Sequence, residues 1–256
     1  MNPAAFGQGI NHFLAGFALV RQPGLRRYVL IPLLVNLVIF VLAVWLAADH
    51  FAGLMEALTA RLPDWLDWVA WLLWVLLAML LLIVIFYGFT LVANIIGAPF
   101  NSLLAARVEE RLTGQKPGGT TSLGFLADAW QDLISEALKL RYFLGLVAVG
   151  AVVSLAMLPF GITAPLLPIL WFLISAWSLA LEYSDYPLSN RGIRFSEQRL
   201  QARTRRSLML GFGTAATIAT MIPLVNFTVM PVAVAGATRM WVMNRESNIV
   251  DSGPAA

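Results

Sequence analysis

Apolar positions in this chain gather into four long stretches without a charged residue: Val29–Ala48, Trp68–Ala106, Phe143–Leu181 and Ser207–Thr238. A helix in contact with lipid needs about 20 predominantly apolar residues to cross the hydrocarbon. The pattern therefore predicts an all-α integral membrane protein. Val29–Ala48 suffices for one crossing, at about 1.5 Å per residue against roughly 30 Å of hydrocarbon, and a first span is expected over 24–48. Trp68–Ala106 is far longer than one crossing. It predicts a second span over 68–96 that meets Gly97-Ala98-Pro99 and continues outside the bilayer to 112.

The other two stretches are interrupted by proline. Phe143–Leu158 runs into Pro159, Pro165 and Pro168 before Ile169–Leu181, and Ser207–Ile222 runs into a segment from Pro223 to Pro231 before Val232–Trp241. Each arm has roughly sixteen residues or fewer, a reach of about 20–25 Å. Two proline-broken re-entrant hairpins, 143–181 and 207–244, are thus expected, with Asn226 in the second turn. Irregular backbone at such depth needs protein or a watery cavity around it, and repeated interrupted segments point to a transport site. Four kinked full spans are the alternative.

The flanking segments are amphipathic. Phe6, Ile10, Phe13, Leu14 and Phe17 form a stripe on a short, nearly neutral segment. It suits either an interfacial helix over 1–22 or a helix packed on the bundle. Ser122–Arg141 sets Leu126, Trp130, Leu133, Ala137 and Leu138 opposite Asp128, Asp132, Glu136 and Lys139. That predicts a cytoplasmic helical extension over 122–141. Residues 246–256 read as a flexible tail, and 1–256 as one membrane domain. If both hairpins return to the side they left, nearly all arginines share that side, and only Arg61 lies opposite. The positive-inside rule makes the crowded side cytoplasmic, together with both termini.

Composition narrows the function. Hydrophobic residues make up 59% of the chain and charged residues 12%, about half the charge of a soluble domain; mean hydropathy is +0.78. A net charge of +3 from scattered arginines lacks the basic stripe that nucleic acid would need. Cysteine is absent, which removes disulfides and thiolate chemistry, and the only histidines are His12 and His50. No signal peptide is read in the first twenty residues. No Walker A loop, G-x-S-x-G or metal motif occurs, so neither an enzyme nor a bound cofactor is expected.

Three groups of residues could carry chemistry. Gly24, Leu25, Arg26 and Arg27 open the first span, where backbone N–H groups, the helix dipole and adjacent guanidinium groups suit a tetrahedral oxyanion; snorkelling anchors are the other reading. Asn36, Asn94, Asn101 and Asn226 could line an aqueous path or join helices. Arg107, Glu109, Glu110 and Arg111 could form a gate or proton relay, or a solvated face of ion pairs. Arg199, Arg203, Arg205 and Arg206 read as attraction to the membrane lipid surface.

A series of motifs, in order from about residue 6 to 245, resembles the bacterial CysZ sulfate permeases. They are Gln22-Pro23-Gly24-Leu25-Arg26-Arg27-Tyr28 with Ile31-Pro32-Leu33-Leu34-Val35-Asn36, then Ala98-Pro99-Phe100-Asn101, Trp171-Phe172-Leu173 and Tyr183-Ser184-Asp185-Tyr186-Pro187. Met221-Ile222-Pro223-Leu224 and Met230-Pro231-Val232-Ala233-Val234 complete it. The resemblance implies an inner-membrane protein that takes up sulfate for cysteine biosynthesis, with sulfate contacts at Gly24, Leu25, Arg26 and Arg27. It also implies homo-oligomers in which protomers can be inverted, whereas the arginine bias favours one orientation. A membrane-organising or partner-binding helical protein without transport is the competing class.

Overall fold

The computed structural model of the protein describes residues 2–60, 63, 67–117, 125–159, 161 and 165–251. All regular structure among them is helical: α1 (Pro3–Val20), α2 (Arg27–Thr59), α3 (Asp67–Thr113), α4 (Phe125–Met157), α5 (Leu166–Ser189), α6 (Phe195–Thr204), α7 (Arg206–Thr220) and α8 (Pro223–Asp251). Among the described residues four helices are long and apolar enough to cross a membrane: α2, α3 from Trp68, α4 over Ile134–Met157, and α5.

The boundaries differ from the expectation in instructive places. The extension over 122–141 and the hairpin arm starting at 143 are one continuous helix, α4. The charges around Arg141 mark a change of environment, but no Gly or Pro sits there to end a helix. α5 likewise runs past Leu181 to Ser189, so Ile134–Met157 and α5 have 24 residues each, or roughly 36 Å, and are not short arms. The second break is a turn of only two residues, Met221 and Ile222, and Pro223 opens α8. Proline at a first helical position loses only an N–H that has no partner there anyway. Asn226 is therefore helical, its N–H donating to the Ile222 carbonyl at 2.9 Å. α7, with 15 residues and roughly 22 Å long, is too short to cross.

By contacts the chain forms two compact units, Leu30–Phe100 and Met1–Val29 with Asn101–Ala256. Within the first, edge-on ring pairs Phe40–Phe89 and Phe51–Trp74 join α2 to α3 at 5.1 and 5.0 Å. Its outward positions remain apolar, with Leu82, Phe86 and Tyr87 about two-thirds exposed, which suits lipid rather than water.

In the second unit α1 packs on α7 and α8. Its buried face is Gly9, His12, Phe13, Gly16 and Leu19. The predicted stripe anticipated only Phe13 among these, because the glycines, not the large residues, set the contact. A Cβ at Gly9 would collide with the Leu208 carbonyl oxygen, one at Gly16 with that of Val232, and one at Gly211 with that of Phe6. Phe13 meets Phe212 edge-on at 5.8 Å. Behind α7 lies α5, where a Cβ at Gly213 would strike the Ala176 carbonyl. Trp177 ties α5 to α4 by donating to the Tyr142 hydroxyl at 2.8 Å.

Arg239 of α8 donates to His12 Nδ1 at 2.7 Å. Arginine offers only donors, so His12 is neutral and carries its proton on Nε2. Burial first, and the nearby Arg239 charge second, push its pKa down to about 4.

Candidate oxyanion site

The connection between α1 and α2 is built by Gln22. Its carbonyl accepts the N–H groups of Leu25 (3.1 Å) and Arg26 (3.2 Å), closing a turn whose left-handed position is taken by Gly24 at φ +90°. Glycine occupies that conformation without the Cβ penalty. Leu25 is 3% exposed and joins the buried cluster containing Leu104, Ala105 and Val108 of α3. This anchor holds the turn against the last turns of α3.

One expectation changes here. The Leu25 N–H is already engaged with Gln22, so it is not available to an anion. Within this turn the backbone N–H groups without a partner among the described residues are those of Gly24 and Arg27.

The arginines converge around Tyr28. Arg27 Nη2 donates to the Tyr28 hydroxyl at 3.1 Å and its guanidinium lies 5.0 Å from the ring centre. Arg107 of α3 lies near enough to the same hydroxyl to interact with it electrostatically, and its Nη1 donates to Glu110 Oε2 at 2.7 Å. Arg111 Nη1 donates to the Pro23 carbonyl at 3.0 Å. Arg26 is exposed and has no partner among the described residues. Two regions far apart in sequence thus deliver four guanidinium groups to one place, with Glu110 as the carboxylate among them. A cavity of about 340 Å³ opens beside Arg107 and Glu110, bordered also by Lys116 and Asn190.

The four residues considered together as a gate separate into two roles. Arg107, Glu110 and Arg111 belong to this cluster. Glu109 points elsewhere: its Oε1 accepts from Arg191 Nε at 2.9 Å and Nη2 at 2.8 Å. With Ser102 and Asn190, whose side chains bond at 2.6 Å, that pair fastens the end of α3 to the residues after α5.

The asparagines considered as a lining have different individual settings. Asn101 is buried on α3, Asn226 is exposed on α8, and Asn36 has a buried Oδ1 without a partner among the described residues. The Asn94 side chain lies outside the described residues, as do Arg61 and Thr163.

The sequence reading missed Tyr28 as the bridge between Arg27 and Arg107, and it missed Lys116. Tyr28 closes the motif that begins at Gln22; its neighbour on α3 is found only in three dimensions.

The family model described as "Sulfate transporter CysZ/Etoposide-induced protein 2.4" matches residues 12–231. The match includes the turn, α2 to α7 and the opening of α8.

Proposed function

The chain belongs to the sulfate transporter CysZ/etoposide-induced protein 2.4 family, and on that premise we propose that it is a sulfate permease of the bacterial inner membrane with its cytoplasmic anion site at the Gln22–Tyr28 turn. The observation that carries this reading is the convergence of Arg27 and Arg107 on Tyr28, beside Arg26, Arg111 and the free Gly24 and Arg27 amides. A tetrahedral dianion matches such a set, because guanidinium forks and amides at a helix start supply donors from several directions. Arg26 and Arg27 bind it, Arg107 completes the cation set, and Glu110 holds Arg107 in place.

Sulfate entering against 100 mV, negative inside, works against about 4.6 kcal/mol, on the order of 10³ in concentration. Proton coupling would remove that burden but needs a carboxylate free to titrate. Of Glu109, Glu110, Glu182 and Asp185, three hold a cation: Glu109 with Arg191, Glu110 with Arg107, and Asp185 with Lys139 at 2.8 Å. This favours a channel-like permease that relies on consumption of cytoplasmic sulfate in cysteine biosynthesis.

The half-depth hairpin belongs to the same proposal for α7 and α8. The tip between them presents Met221 (66% exposed), Leu224 (84%) and Phe227 (74%), side chains suited to hydrocarbon and costly in water. Both termini lie in the cytoplasm.

Equilibrium binding of radiolabelled sulfate to the purified full chain tests the site. Arg26→Gln with Arg27→Gln should weaken binding by about tenfold or more, as loss of charge-assisted hydrogen bonds requires. Unchanged binding would remove the turn from the account.

A further inference from the structure

A second cationic cavity lies away from the turn, where α6 passes into α7 beside the start of α1. Its volume is about 540 Å³, and Arg203, Arg205, Arg206, Asn2, Gln8 and Ser207 contribute to its walls; no carboxylate does among the described residues. The oxyanion site of the turn uses none of these groups.

The cavity follows from how the chain turns. Arg205, at φ −118° and ψ 38°, separates α6 from α7, and α7 starts without a side-chain cap. The first α7 amide bonded back is that of Met209, to the Arg205 carbonyl at 3.0 Å, so the N–H groups of Arg206, Ser207 and Leu208 have no backbone acceptor among the described residues. Asn2 closes one wall: its backbone N–H donates to Ser207 Oγ at 2.9 Å, and its side chain caps α1. Arg205 is held on another wall, donating to the Asn244 carbonyl at 3.3 Å with its guanidinium 5.7 Å from the Trp241 ring centre. Burial lowers the Arg205 pKa, so its cation gains when an anion replaces lost water.

The surroundings identify the anion. Leu200 is 64% exposed and sits one helical turn before Arg203 and Thr204 on α6, and Met243, next to Asn244, is 40% exposed. Side chains at such spacing share a helix face. Apolar flanks beside a cationic pocket suit a ligand with an acyl part more than a fully hydrated ion. The volume also exceeds what a single phosphate or sulfate needs and falls in the range of small-molecule sites.

We propose that the cavity formed by Arg203, Arg205, Arg206, Asn2 and Ser207 binds the phosphate of an anionic membrane lipid at the headgroup level. The three guanidinium groups supply the charge, the unpaired α7 amides supply directed donors, and Leu200 and Met243 contact the start of the acyl chains. The lipid then joins α1 to the α6–α7 corner. The chemistry shared with a free oxyanion is the tetrahedral, negatively charged oxygen set, so the test must separate the two sources. The proposal is independent of the transport reading.

The experiment uses the full chain in neutral detergent and counts lipid retained in native mass spectrometry. Phosphatidylglycerol and phosphatidylcholine are each offered alone, and sodium sulfate is added in a competing arm. Wild type should retain phosphatidylglycerol in preference to phosphatidylcholine. Arg203→Gln with Arg206→Gln, both exposed, should weaken retention by roughly ten- to thirtyfold, the effect of two arginines at a membrane surface. Arg21→Gln with Arg141→Gln removes the same charge elsewhere and should leave retention unchanged. Millimolar sulfate should fail to displace the lipid. The proposal is overturned if both lipids are retained alike, if the two charge-removing pairs weaken retention equally, or if sulfate displaces the lipid at millimolar concentration. Thermal unfolding of the cavity variant without lipid, matched to wild type, shows that the loss is in binding rather than folding. Should that variant unfold early, Ser207→Asp places a like charge in the cavity, and undiminished retention by it would equally overturn the assignment.

Discussion

Replacing Arg191 by Met isolates a single buried carboxylate. The Glu109 side chain is 7% exposed and that of Arg191 14%. Both guanidinium bonds go to Oε1, and Oε2 is buried without a partner among the described residues. Removing the cation leaves a carboxylate that cannot reach water, a situation costing about 3–5 kcal/mol. Because Arg191 is slightly open to solvent, the lower end, about 3 kcal/mol, is appropriate, or roughly 6–12 °C in Tm for a chain of this size. Glu109→Leu combined with Arg191→Met removes both charges and should restore most of that loss, since an apolar pair replaces a buried ion pair at little net cost. Thermal unfolding in mild detergent, followed by tryptophan fluorescence, reads the difference. A single variant within 2 °C of wild type, or a double variant as unstable as the single one, would refute the reasoning.

Three further predictions concern other parts of the fold. His12 has an ordinary pKa of 6.5 and a folded value of about 4, so the unfolded chain takes up the proton first as pH falls. Stability present above pH 6.5 is then lost progressively down to about pH 4, by about 2–3 kcal/mol; pH-dependent unfolding should show this, and His12→Gln should flatten it. Gly213→Val should cost more than about 3 kcal/mol or prevent folding, because the new side chain meets the Ala176 backbone, whereas Gly53→Ala, with open space around it, should be neutral or stabilising by up to about 1 kcal/mol. Both are checked by yield and Tm of purified protein. Gly24→Ala meets no neighbour but keeps φ +90°, a backbone strain of about 1–2 kcal/mol, and should weaken sulfate binding more than it lowers Tm.

The sequence made the lipid-facing helices legible because they are defined by composition alone: no arrangement of Val29–Ala48 could be covered by the rest of so apolar a chain. Helix ends were less legible. The charges around Arg141 suggested a boundary, yet charge reports environment and only Gly, Pro or a cap reports a helix end. Pro223 reads as part of a long turn because proline often breaks helices, yet at a first helical position it starts one. Large residues on α1 drew attention, but Gly9 and Gly16 define its contact, since close backbone approach depends on what is missing. At the candidate oxyanion site the Gly-Leu-Arg-Arg motif does not show that the Leu25 N–H bonds the Gln22 carbonyl. Which N–H the Gln22 carbonyl would occupy, and which arginine of α3 would come near Tyr28, depend on how the turn meets the end of α3, where Arg111 donates to the Pro23 carbonyl, and no local pattern encodes that.

Sulfate flux into proteoliposomes containing the purified chain is the most direct measurement, comparing wild type with Arg27→Gln plus Arg107→Gln at equal incorporation. The account predicts saturable sulfate uptake by wild type and a fall of about tenfold or more in the double variant, as the loss of two charge-assisted contacts implies. Wild-type flux in the double variant, or no flux above empty vesicles for the native chain, would contradict it.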